Sequence, residues 1–186
     1  MQGVDKIQEE SAKVTKLTDK ITDYLAGLFS SGLLTEQQAS QTAGLMYVLG
    51  DVDRIGNLSA GIALSMKEKE TNQYKYSQEA MDELAKCLKT LEKMFDSATK
   101  ALRGDTTVEL EKLMKRKDKI VNLDIMMRKS HIQRVNKGKC KASLTTPFTN
   151  ILHLIDRMGN SCINLADAAT NEVALKYFLP KDEMTM

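Results

Sequence analysis

Two pentapeptides in this 186-residue chain put oxygen-bearing side chains at helical spacing. Asp53-Arg54-Ile55-Gly56-Asn57 recurs 103 residues later as Asp156-Arg157-Met158-Gly159-Asn160. On a helix, Asp53 and Asn57 stand one turn apart on one face, and Asp156 and Asn160 do the same. Two such ladders could offer hard oxygen donors to a divalent cation. Such a site gains from charge, and with Asn at both second positions each ladder brings one carboxylate, so the expected binding is weak. The competing reading is structural. A helical glycine costs roughly 1 kcal/mol against alanine, so Gly56 and Gly159 imply a backbone or ligand approaching closely, with Asp and Asn satisfying each other or a neighbouring helix.

Other chemistry is sparse. His131 and His153 are the only histidines and neither follows a glutamate by three residues, which argues against a ferritin-like di-iron bundle. His153, Asp156, Asn160 and Asp167 form one polar strip, in which His153 is a candidate imidazole ligand or, more simply, a surface histidine. The sequence has neither common phosphate-cradling glycine loop and no G-x-S-x-G elbow. Cys87, Cys140 and Cys162 lack metal spacing and read as reduced thiols of a cytoplasmic protein. Charge is uneven: between Lys112 and Lys141 eleven basic residues face only Asp118 and Asp124, a local +9 in a chain of net +2. Such a field suits anionic lipid, an acidic partner or phosphate, or is simply a solvated face. No aromatic interleaves with it to stack bases, which argues against nucleic acid.

The elements that must position these residues are helices. Ten glycines and two prolines, none of the latter before Pro147, are too few for the turns of a sandwich or barrel. No apolar run approaches the ~18 residues that cross a bilayer, and no signal-peptide core opens the chain. Periodicity predicts five helices. The first carries Val4, Ile7, Val14, Leu17, Ile21, Leu25 and Leu28, with Ser11 in the gap. The second, capped by Thr35, carries Leu45, Val48, Val52, Ile55, Ile62 and Met66 and is central. The third carries a coiled-coil-like seam of Met81, Leu84, Leu88, Leu91, Phe95, Ala98 and Leu102, and ends at Gly104. Asp105 or Thr106 caps the fourth, with stripe Leu110, Met114, Val121, Ile125, Ile132 and Val135, in which Asp118 takes a core position. After a loop over 137–146, Thr146 and Pro147 open the fifth, which runs through Ala169 and towards Phe178.

The repeated motif sits each time on the last helix of a unit, and Ile62-Ala63 matches Leu165-Ala166 downstream. Duplication of a three-helix unit follows. Residues 1–70 then form a first repeat of two helices, without an opening helix, and residues 74–178 a second of three, together making one compact all-α, up-and-down bundle.

The two motifs resemble those of the PhoU family, two three-helix repeats whose last helices carry [ED]-R-I-G-D followed by an N-I-[AC]-E-like segment. The second copy is the fuller match, with Asn164-Leu165-Ala166-Asp167 in the downstream place. In some members the paired acids bind iron or zinc clusters. Carried over, the resemblance implies Asp53, Asn57, Asp118, Asp156 and Asn160 as metal-site residues, with Asn57 and Asn160 departing from the second acid. Asp118 resembles the acid on the preceding helix, and its first-unit counterpart falls near Ser11. No catalytic residue and no organic cofactor are implied.

Family members are free-standing regulators of the high-affinity phosphate transporter or soluble tails of sodium-phosphate cotransporters. The resemblance therefore implies a regulatory interaction module at the cytoplasmic face of the cell membrane. Its partners would be a phosphate transporter or its own membrane domain, an anionic membrane surface met through residues 112–141, and a second copy covering the groove left by the absent helix. Two other functions compete: a metal-dependent phosphoryl-transfer or hydrolytic enzyme using the carboxylate ladders, and a helical spacer self-associating through the third helix.

Overall fold

A computed structural model describes residues 2–71, 75–105 and 107–170. Its helices are α1 (Gln2–Ser30), α2 (Glu36–Thr71), α3 (Gln78–Leu102), α4 (Leu110–Asn136) and α5 (Thr145–Thr170), the last entered from a 3-10 turn at Ala142–Leu144. Among the described residues there is no strand, so the all-α bundle read from composition is the fold. The predicted run of the fifth helix to Phe178 lies outside the described residues.

Local chemistry sets the ends. Thr35 and Gln38 form a capping box, the Gln38 amide donating to Thr35 Oγ1 at 3.3 Å and the Thr35 amide to Gln38 Oε1 at 3.0 Å. Gly104 (φ +86°) and Gly138 (φ +68°) close α3 and α4 in the same way. Behind α3, Gly104 N bonds Ala101 O and Asp105 N bonds Lys100 O; behind α4, Gly138 N bonds Val135 O and Lys139 N bonds Arg134 O. Both are the left-handed stop that a side chain with a Cβ resists. Asp105 does not cap α4. It accepts instead from the amide and hydroxyl of Thr107, and α4 begins five residues later. Nor is Thr146 an N-cap, because α5 is already helical at Thr145.

The two motif helices lie against each other and join the halves of the molecule. α2 packs on α1 and α5, while α5 also packs on α3 and α4. Between α2 and α5 the 103-residue offset relates contacts as well as sequence. Asn164 Nδ2 donates to Asp51 Oδ2 at 3.1 Å, and the pair obtained by shifting each partner through 103 residues, Leu154 and Gly61, also meets: a Cβ on Gly61 would lie 3.4 Å from Leu154 Cδ1. These two contacts place α2 and α5 antiparallel about a local pseudo-dyad.

Most of the core belongs to α3, α4 and α5, where Met94, Met127, Phe148, Ile151 and Ile155 are fully buried. Three predicted stripes need correction. On α4 the buried apolar positions are Leu113, Ile120 and Met127, while Met114, Val121, Ile125 and Ile132 are exposed. The true stripe is displaced by one residue, which leaves Asp118 on the surface and not in the core. On α3 the seam is half right: Leu84, Leu91 and Ala98 are buried, but Leu88, Phe95 and Leu102 are partly open. On α1 the buried positions are Ser11, Thr18 and Leu25, and Ile7, Leu17 and Ile21 face outward. The cause is common to all three. These helices carry apolar residues over a wider arc than their neighbours cover, and periodicity cannot say which edge of the arc is used.

Candidate functional site

Each motif faces the helix before its own, and the two are completed differently. In the first, Thr15 Oγ1 donates to Asp53 Oδ1 at 2.6 Å, and Asn57 Nδ2 donates to Asp53 Oδ2 at 2.9 Å. Ser11 Oγ reaches Asn57 Oδ1 at 3.5 Å. The Asp-to-Asn ladder expected from the four-residue spacing therefore forms, and α1 hydroxyls close it. In the second, the Lys117 ammonium donates to and ion-pairs with Asp156. Asn160 and Asp118 are exposed.

The glycines explain the difference. A Cβ on Gly56 would meet Val14 Cγ1 at 3.4 Å; on Gly159 it would meet Lys117 Cδ at 3.0 Å and Cε at 3.3 Å. Val14 and Lys117 are 103 residues apart, so both notches admit the same position of the preceding helix. What comes close is a side chain, not the backbone or ligand expected. Gly159 lets the Lys117 stem cross the helix so that its ammonium reaches Asp156. The same offset relates Asp118 to Thr15, one turn from the Ser11 expected.

The donor set does not form a cation cage. One carboxylate is held by a hydroxyl and an amide, and the other already carries a cationic partner. Among the described residues no group of three or more His, Cys, Asp and Glu side chains lies together. His153, the other candidate ligand, is exposed.

Several polar groups that the sequence did not single out are buried. Asp51 accepts from Asn164 and from Arg54 Nη1 at 3.2 Å. His131 is buried, stacked on Phe148 with ring centroids 5.3 Å apart, its Nε2 2.9 Å from Thr145 Oγ1. Burial, and then the Arg134 charge, lower its pKa. Cys140 Sγ lies 3.7 Å from His131 Nδ1. Burial pushes the Cys87 thiol up to about 11 and that of Cys162 up to about 12, which makes both poor nucleophiles. The only sequence signal for His131 was its place on α4, on the face that periodicity misassigned.

The basic segment divides into used and unused charge. Lys112 pairs with Glu109, Lys115 with Glu111, Lys117 with Asp156 and Arg128 with Asp124. Arg134 is buried beside Glu79 and Glu83, and Arg116 donates to Lys93 O and Ser97 Oγ. Lys119 and Lys129 on α4 and Lys137, Lys139 and Lys141 after it remain exposed, as do Ile125, Met126 and Ile132. No helix among the described residues is long and apolar enough to cross a membrane.

The second, fuller motif lies on the last helix of a three-helix unit, α3 to α5. Residues 84–169 match the sequence model of the PhoU domain. That match runs from within α3 to the end of α5 and includes Lys117, Asp118, Asp156 and Asn160. No curated protein and no solved structure matches the chain. The α1–α2 pair lies outside the PhoU domain match, and its relation to the domain rests on the repeated motif and the paired contacts across α2 and α5.

Proposed function

We propose that this protein is a regulatory interaction module of phosphate uptake, the soluble tail of a sodium-phosphate cotransporter, acting by contact at the cytoplasmic face of the membrane. The observation that carries this reading is the PhoU domain match over α3 to α5, joined to a second copy of the same motif on α2. The two motifs serve helix packing here, with Asp53 and Asp156 both engaged, so the reading requires no chemical step. The exposed end of α4 supports a place beside the membrane. Ile125, Met126 and Ile132 are exposed, as are Lys119, Lys129, Lys137, Lys139 and Lys141, and apolar and cationic groups together suit the anionic headgroup layer.

Two experiments test it. Sodium-dependent phosphate uptake by cells expressing the chain with its native upstream sequence should lose its response to phosphate supply when residues 36–170 are deleted. Uptake and response both unchanged would refute regulation. The reading frame before Met1 should encode apolar spans of about 20 residues; a frame without them would refute the tail assignment while leaving regulation standing.

A further inference from the structure

Cys140 stands apart from the other two thiols. Cys87 and Cys162 are 1% and 0% exposed, whereas Cys140 is half-buried on the connection between α4 and α5. It is also one member of a chain of three functional groups. Cys140 Sγ lies 3.7 Å from His131 Nδ1, and His131 Nε2 lies 2.9 Å from Thr145 Oγ1. The imidazole is only 3% exposed, and its ring is held by stacking on Phe148. Three elements supply the chain: α4 brings the imidazole, the connection brings the thiol and the first residue of α5 brings the hydroxyl. A nucleophile within reach of a base that a third group orients is the arrangement by which proteins activate thiols. With Nε2 donating to Thr145, the Nδ1 lone pair is left for the Cys140 proton. The other acceptor near the sulfur, Lys141 O at 3.8 Å, is a carbonyl and no proton base.

The surroundings select the reagent. From Ile125 to Ile155 the sequence holds six lysines and arginines and no acid. Lys139 and Lys141 flank the thiol in sequence, and with Lys137 they are exposed. Arg134, whose charge also reaches His131, is buried and pairs with Glu79 and Glu83 of α3. The thiol stands just ahead of the 3-10 turn that opens α5, where the positive end of the helix favours a thiolate. We propose that Cys140 is a site of reversible modification by anionic low-molecular-weight disulfides, with His131 as its proton acceptor and the neighbouring lysines selecting negative charge. The Cys140 proton passes to His131 Nδ1, the sulfur attacks one sulfur of the disulfide, and the new S–S bond forms as the old one breaks. The displaced thiolate leaves with the bonding pair and takes the proton from the imidazolium. Cys140 is thereby oxidised to the mixed disulfide, and the other half of the reagent is reduced to a thiol. The adduct adds negative charge to the lysine-bearing segment, and attack by a small thiol reverses it.

Intact-protein mass spectrometry after brief exposure to glutathione disulfide should show one adduct on the wild type and none on Cys140→Ser. Rates with glutathione disulfide, which is anionic, and cystamine, which is cationic, are each divided by the rate for N-acetylcysteine amide to remove the reagent's own reactivity. At low ionic strength the anionic disulfide should then lead by about tenfold, and Lys137→Gln, Lys139→Gln and Lys141→Gln together should bring the two within about twofold. His131→Gln should slow glutathione disulfide about tenfold at pH 7.5 and little at pH 9.5, where the thiol ionises unaided. An adduct that persists in Cys140→Ser would overturn the proposal. So would equal normalised rates for the two disulfides, or a His131→Gln effect of one size at both pH values. If His131→Gln fails to fold, the comparison of the two disulfides on the wild type decides.

Discussion

Gly56 and Gly159 occupy matching notches, but substitution separates them. Alanine at 56 meets Val14 at an ordinary contact distance and should stabilise the protein by about 0.5–1 kcal/mol through helix propensity and the unfolded chain. Alanine at 159 presses on a lysine stem pinned at its far end by Asp156. That gain should be cancelled or reversed, and urea midpoints of the two variants will show the split; equal gains would mean that Lys117 moves aside freely. His131 brings a pH dependence with a defined sign. Its folded pKa lies below 6.5, so the neutral form is favoured in the native state and the unfolded chain binds the proton more readily. Its contribution is complete above pH 6.5 and is lost as pH falls below that value towards the folded pKa. Urea midpoints at pH 7.5 and 5.5 should therefore fall more for the wild type than for His131→Gln. Among the thiols only Cys140 should react quickly with an aromatic disulfide reagent in the native state.

At the scale of elements, the seam between α2 and α5 holds one polar and one apolar contact related by the pseudo-dyad. Asp51→Ala would leave the half-buried Asn164 amide without its acceptor and should cost about 1–3 kcal/mol. Asn164→Ala should cost a similar amount, and the double variant should cost clearly less than the two added together, as groups sharing a contact do. Strict additivity would mean that the bond at 3.1 Å contributes nothing. The helices themselves, and the number of them, were legible from periodicity and from Gly104, Thr35 and Pro147. The facing of α4 was not, because two apolar strips lie about 120° apart on that helix and only the positions of α3 and α5 select the one through Leu113, Ile120 and Met127.

For the whole molecule, stability is distributed unequally. α3, α4 and α5 bury one another, whereas α1 packs chiefly on α2. Native-state hydrogen exchange at low concentration should find α1 opening with a smaller free energy than α5. Uniform protection across the five helices would contradict this expectation.

Composition and helical periodicity alone determined an all-α chain, its duplicated motif and the four-residue ladder between Asp53 and Asn57, because these depend on spacing within one segment. What those side chains touch was decided by tertiary structure. Thr15 and Lys117 come to the two motifs from helices 38 and 39 residues away, and nothing in the spacing of Asp156 and Asn160 indicates that an ammonium ion stands beside the acid. The same holds for the surface. Leu17 and Ile120 are equivalent apolar residues in sequence, and only the presence of α3 over one half makes the second a core residue while the first stays exposed.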